Sequence, residues 1–281
     1  MSHRRMLLRR TAAACFAALA LPTAAPALDL NGFLAAAGEG AAALSYSTES
    51  YDEFWAGDQK TSAPPLGEVE TTSVSLWLRW GFTDRLSVVA NLPYVDADTN
   101  GPAGLHDSGI GDLEALGLFR VLETSSGGAR HRLVAGVGVR TPVHNYVADA
   151  PVSLGDGSTD LLLRLVYQLE VGSFYLSQQV GFDSRGEGVP DTFPLFTEVG
   201  YTVGRVTGSA SYSRLFADGG SDIGDPGFTF PGNQEEYSRL GAKVYGRFTE
   251  HFGGSLAGFS TLDGRNSGAT TGGSVGLVLN F

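Results

Sequence analysis

The chain has 281 residues, 30 acidic against 19 basic side chains, a formal net charge of −11 and a single cysteine, Cys15. Such an acidic balance argues against a nucleic-acid partner, which needs basic surface to meet phosphate. One cysteine excludes a disulfide framework.

The first element in chain order is a leader. Residues 1–27, MSHRRMLLRRTAAACFAALALPTAAPA, hold four arginines, an apolar stretch rich in Ala and Leu, and then Ala25-Pro26-Ala27. That is the basic region, apolar region and A-x-A site of a secretory signal peptide, with cleavage expected after Ala27. The expected division is therefore a signal peptide over 1–27 and one domain over 28–281. Cleavage removes Cys15, four basic residues and no acids, so the mature charge becomes 15 − 30 = −15. Past the leader no run of 18 apolar residues occurs, which leaves no candidate for a membrane-spanning helix.

The rest of the chain alternates with period two. In TTSVSLWLRWGF, Val74, Leu76, Leu78, Trp80 and Phe82 oppose Ser73, Ser75, Trp77 and Arg79; in DLLLRLVYQLE, Leu161, Leu163, Leu165, Tyr167 and Leu169 oppose Arg164, Gln168 and Glu170. Successive side chains of a strand point to opposite faces, so this is a strand signal. Twelve such segments follow, near 39–52, 69–82, 85–96, 109–122, 131–146, 158–170, 174–183, 192–203, 206–216, 236–248, 252–262 and 271–281. The connections between them alternate. Those near 83–84, 171–173, 204–205 and 249–251 are tight and 123–130 is slightly longer, whereas those near 53–68, 97–108, 147–157, 184–191, 217–235 and 263–270 are long and polar.

Short turns at one end and long loops at the other are the pattern of a transmembrane, antiparallel, up-and-down β-barrel of about twelve strands. A soluble sandwich also gives many short strands. These segments are longer than ordinary strands, their apolar face carries almost no charge, and the chain ends GGSVGLVLNF on a terminal Phe281. Such an ending resembles the recognition signal of barrels assembled into bacterial outer membranes, so the expected partners include that assembly machinery, outer-membrane lipid and lipopolysaccharide. Two aromatic girdles are expected. Trp80, Phe82, Phe119, Tyr167, Phe174, Tyr201, Phe248, Phe252 and Phe281 fall near the short turns; Tyr46, Tyr94, Phe182, Phe193 and Tyr212 fall near the long loops.

The opposite face carries Arg79, Asp112, Glu114, Arg120, Arg132, Arg140, Arg164, Gln168, Glu170, Gln179, Glu198, Arg239, Lys243 and Arg247. Charges at that density need a wet or densely paired lumen. One reading is a set of salt bridges that plugs the barrel. The other uses their placement. Arg239, Lys243 and Arg247 share a face of the tenth strand at steps of about 13 Å, and Asp112 and Glu114 lie on the fourth strand, diametrically opposite in a twelve-stranded barrel. Carboxylates facing a basic column set up a transverse field that selects solutes. The group as a whole leans basic, which points to small anions, with Asp112, Glu114, Arg120, Arg140, Arg164, Glu198, Arg239, Lys243 and Arg247 as selectivity candidates.

Other chemistry is thinly represented. His106, His131, His144 and His251 make no close metal spacing, so no metal site and no cofactor are expected. Outer-membrane phospholipases are also twelve-stranded and use a His and a Ser two residues apart, with an Asn; His106 and Ser108 share that spacing, but in GPAGLHDSG they are expected in a polar loop. Asp218, Asp222 and Asp225 of ADGGSDIGD lack calcium-loop spacing and read as a solvated loop. GIGDLEALGLFRV, residues 109–121, is not G-x-G-x-x-G, because Glu114 takes the third glycine's place.

That stretch carries a resemblance instead. WGFTDRLSVVANLPYV followed by GIGDLEALGLFRV resembles the outer-membrane family named for the meta-pathway of phenol degradation. Gly81, Thr83, Asp84, Leu86, Pro93 and Tyr94 match its first motif, with Phe82 in an aliphatic slot; Gly109, Ile110, Gly111, Asp112, Leu113, Phe119 and Arg120 match its second, with Ala115 in an aliphatic slot. The resemblance implies a transporter-like barrel and leaves the substrate open. The expected function is a monomeric outer-membrane channel of a Gram-negative cell for passive diffusion of small solutes. The alternatives are a lipid-acting hydrolase and a plugged structural barrel whose loops bind a surface partner.

Overall fold

The computed structural model describes residues 28–281, and every regular element within them is a strand. The expected leader, 1–27, lies outside the described residues. In chain order come β1 (Gly40–Tyr51), a small hairpin of β2 (Phe54–Ala56) and β3 (Gln59–Thr61), then β4 (Val69–Thr83) and β5 (Leu86–Thr99). Next are β6 (His106–Ile110) and β7 (Leu113–Ser126), which together form one wall strand, and β8 (Ala129–Thr141). The chain continues through β9 (Asp160–Val171), β10 (Phe174–Ser184), β11 (Thr192–Val203), β12 (Val206–Ala217), β13 (Glu236–Arg247), β14 (Phe252–Arg265) and β15 (Thr271–Asn280).

Each wall strand pairs antiparallel with its chain neighbours, and the sheet closes on itself because β1 pairs with both β4 and β15. The ring has twelve strands. Closure matters because lipid offers no partner to a free N–H or C=O, and a ring has no edge.

The pleat sorts the side chains. On β4, Ser73, Ser75, Trp77 and Arg79 are buried inside while Val74, Leu76, Leu78, Trp80 and Phe82 are exposed outside. All nine aromatics expected near the short turns are exposed, as are Tyr46, Tyr94, Phe193 and Tyr212 near the long loops. Apolar residues exposed all round a barrel make sense only against lipid.

Two local features differ from the sequence reading. The connection expected over 123–130 is a two-residue turn, because β7 runs on to Ser126 and Gly127-Gly128 both take positive φ, as a tight hairpin turn requires. The fourth wall strand is broken at Gly111-Asp112, where the Gly111 N–H donates to the Pro93 carbonyl outside the ladder.

The interior is also less polar than expected. Trp77, Leu116, Leu118, Val134, Leu162, Val166 and Tyr175 point inward and form a buried cluster with Leu28, Leu30 and Phe33 from ahead of β1. The residues before the first strand therefore lie inside the barrel.

Candidate functional site: the lumen and the segment that fills it

Residues 28–37 run from the short-turn end into the lumen. The N–H groups of Leu28, Leu30 and Gly32 donate to Glu114 Oε1 (3.2 Å), Gln179 Oε1 (3.0 Å) and Gln168 Oε1 (2.9 Å). Every second N–H facing the same wall is the signature of an extended chain, and the wall's side chains replace the missing partner strand. The segment's carbonyls are met as well: Arg79 Nη1 donates to the Phe33 carbonyl (3.2 Å) and Ser87 Oγ to that of Ala35 (3.3 Å). Asn31 Nδ2 donates to Glu198 Oε2 (3.2 Å), and the Phe33 ring meets Tyr175 edge-on at 5.2 Å. Gly32 is set by close approach, since a Cβ there would stand 2.5 Å from the Cβ of Gln168. A backbone held by this many specific acceptors and donors is seated rather than lodged.

Behind the segment, cross-strand register builds a charge ladder. Glu114 on β7 opposes Arg140 on β8, which opposes Asp160 on β9. Arg140 lies 3.5 Å from Glu114, 3.2 Å from Asp160 and 3.9 Å from Asp183. Arg164 pairs with Asp183, and Arg185 with Asp156 and, at 3.3 Å, with Asp160. Nearer the short turns Arg132 bridges Glu170 and Glu123, and Arg120 also reaches Glu123. The pairs around Arg140, Arg164, Asp160 and Asp183 are buried, so removing one partner strands the other.

The candidate residues thus fall into two groups. Glu114, Arg140, Arg164 and, through Lys243 at 3.4 Å, Glu198 belong to local ion pairs. Asp112, at the break in the wall, accepts a 2.5 Å hydrogen bond from the Tyr146 hydroxyl of the loop over 142–159. Burial, and then that hydrogen bond, push the Tyr146 phenol above its ordinary value. On the far wall Arg239 donates to Thr261 Oγ1 (3.2 Å) and stacks over Tyr237 at 4.0 Å, while Lys243 and Arg247 continue its face of β13. Between the acids and this column lies the N-terminal segment, not open lumen.

Sequence reading missed Asp29, which lies near Arg164, Arg239, Glu114 and Glu198, and the fully buried Asp160 and Asp183. These acids offset most of the expected basic excess. Asp160 shares parity with Arg164 and Gln168, and Asp183 with Gln179, so period two carried the signal for both; nothing in the sequence places residue 29.

The segment does not fill the lumen evenly. Against β9–β11 it buries Arg164, Gln168, Ser177, Gln179 and Glu198 almost completely. Onward round the wall from β11, the inward faces of β12, β14 and β15 carry Ser209, Ser211, Ser213, Ser255 and Ser274, all only half-buried, with Gly241, Ala257 and Gly276 between them. Small polar side chains that face inward and keep part of their exposure form a narrow strip beside Lys243.

At the rim, His106 and Ser108 lie on β6 rather than in a loop, as its pairing with β5 extends the wall. Both face outward; Ser108 opposes Asp96, and His106 Nδ1 is 3.7 Å from Asp96 Oδ1. Asp222 of the acidic loop pairs with Arg265 (2.5 Å) and accepts from Asn266 Nδ2 (2.8 Å). These bonds, that of Asn266 first, hold its carboxyl below the ordinary value.

No protein-family model matches the chain, and no curated protein matches its sequence. Among solved structures, an outer membrane channel from Pseudomonas putida F1 is similar over 91% of this chain and all of its own, at 18% identity and a TM-score of 0.72. The likeness is one of fold. It is that of an outer-membrane barrel. A KdgM porin (8% identity, 85% of this chain and 99% of its own, TM-score 0.48) and the Escherichia coli outer membrane phospholipase A (12%, 85% and 95%, TM-score 0.45) are similar more remotely.

Proposed function

We propose that the protein is an outer-membrane channel for small solutes, with a preference for anions, whose lumen is narrowed by its own N-terminal segment. The observation that carries this is the strip of half-buried serines on β12, β14 and β15, beside the wall against which the segment is seated. A channel needs a wet path, and a purely structural core would not leave inward serines exposed. The fold shared with an outer membrane channel supports the reading, as does the resemblance of residues 80–121 to the phenol-pathway family, whose substrate is not carried over. Arg239, Lys243 and Arg247 border the strip and supply the anion preference.

On this reading residues 1–27 are a secretory leader. Cleavage after Ala27 turns the Leu28 nitrogen, 3.2 Å from Glu114, into an ammonium facing a carboxylate. Phe281, exposed and stacked on Trp80 at 5.9 Å, addresses the assembly machinery, and the girdles contact lipid and lipopolysaccharide. The test is the reversal potential of the reconstituted protein in a salt gradient. Anion selectivity is expected, and it should weaken or invert in Arg239→Glu/Lys243→Glu; selectivity unchanged by that double reversal rejects the basic column.

A second reading, a hydrolase acting on lipid, has one observation in its favour, the outward cluster of His106, Ser108 and Asp96 at the rim. It requires lipase activity that Ser108→Ala abolishes.

A further inference from the structure

Most arginines facing the lumen meet a carboxylate or a stacked ring and hydroxyl. Arg79 does not. It is 3% exposed, and among the described residues its guanidinium donates from Nη1 to the Phe33 carbonyl and has no carboxylate within ion-pair distance. Its Nε and Nη2, both sealed from solvent, have no acceptor. Those two N–H groups form the side edge of the guanidinium, the edge that takes a carboxylate through two parallel bonds.

The surroundings repeat the theme. Arg79 lies over the Trp77 ring at 5.5 Å, and Tyr245 is near enough to interact with it electrostatically. The Trp77 Nε1 and the Tyr245 hydroxyl are also buried with no partner. An indole N–H can only donate, and the phenol can donate. Four buried donors on and beside a cation, with the phenol oxygen the one acceptor among them, leave a desolvation cost that one anion would reduce.

We propose that Arg79, with Tyr245 and Trp77, is a binding site for a small carboxylate, uncovered when residues 28–37 withdraw. The Phe33 carbonyl holds Arg79 while the segment is seated. A carboxylate takes the Nε/Nη2 edge of the released state, so ligand and seated segment exclude one another, and a solute of the right charge favours opening. This rests on the channel reading for its purpose, but not for its geometry.

The test measures seating directly. Ala35, 2% exposed in the seated segment, is replaced by Cys in the purified protein, with Cys15→Ser, and its maleimide labelling rate is followed in sodium acetate against sodium chloride at constant ionic strength. If acetate binds only the released state, the rate rises as one plus the ratio of acetate to its dissociation constant, about tenfold at ten times that constant. Arg79→Gln should remove the acetate dependence, and Tyr245→Phe should flatten it several-fold. Labelling of the parent protein that ignores acetate, or a dependence that survives Arg79→Gln, overturns the site. Should Arg79→Gln fail to fold, as judged by gel heat-modifiability, an unchanged slope in Tyr245→Phe overturns it instead. An acetate response without any conductance keeps the site and rejects the channel.

Discussion

Replacing Gly32 by Val should unseat the segment while leaving the barrel intact. The Cβ added at 32 would stand 2.5 Å from the Gln168 Cβ and 3.3 Å from its Cγ. The Gln168 Cβ is fixed to the β9 backbone inside a closed wall, so the segment has to yield. In yielding it also loses the 2.9 Å bond from its own N–H to Gln168. Overpacking of a well-packed interior costs about 1–3 kcal/mol. At tenfold per 1.4 kcal/mol, the ratio of released to seated segment rises about 5- to 150-fold. The assay is single-channel recording of the refolded variant beside Gly208→Ala, an outward position of β12 where an added Cβ meets nothing within 4 Å. Gly32→Val should show longer or more frequent large openings and the control should match the parent. A heat-modifiable Gly32→Val protein with the parent's conductance trace would refute the seating argument.

Three further outcomes follow from the same geometry. Arg164→Ala leaves Asp183 buried with only the more distant Arg140 at 3.9 Å, and breaking a buried pair costs about 3–5 kcal/mol, to be read as a lowered urea midpoint in vesicles. Removing Phe281 should slow assembly into the outer membrane in cells, read as loss of the heat-modifiable band, while refolding into detergent persists. Asp222 is held below its ordinary value of 3.8, so it adds stability at pH above that value and loses it as pH falls through the depressed one. The loops over 218–235 and 266–270 should therefore become more protease-sensitive on strong acidification, and Asp222→Asn should remove that pH step.

The twelve wall strands were legible because period two survives everywhere one face meets lipid; Val74–Phe82 and Leu161–Tyr167 fix their own register in or out. Gly127-Gly128 was readable as a turn in principle, but the polar Thr124-Ser125-Ser126 masked a strand that runs past the lipid. His106 and Ser108 were misplaced because Gly101 to Gly104 look like loop, whereas pairing with Asp98 and Asp96 makes β6. The lumen was half legible. Parity found Glu114, Arg140, Arg164 and Glu198 and left salt bridges among the lumen charges as one of two readings; which carboxylate meets which arginine depends on register between strands. The seated segment left no periodic trace: ten residues of mixed character before the first strand have no partner strand, and their acceptors, Gln168 and Gln179, lie over a hundred positions away. Leu116, Leu118 and Leu162, apolar on the lumen face, were its faint echo.

Whether the barrel conducts through a lumen narrowed by residues 28–37 is decided by the single-channel conductance of the protein with and without residues 28–36. A small conductance that grows on their removal, in a barrel that stays heat-modifiable, is the predicted result. No conductance from either form would contradict it.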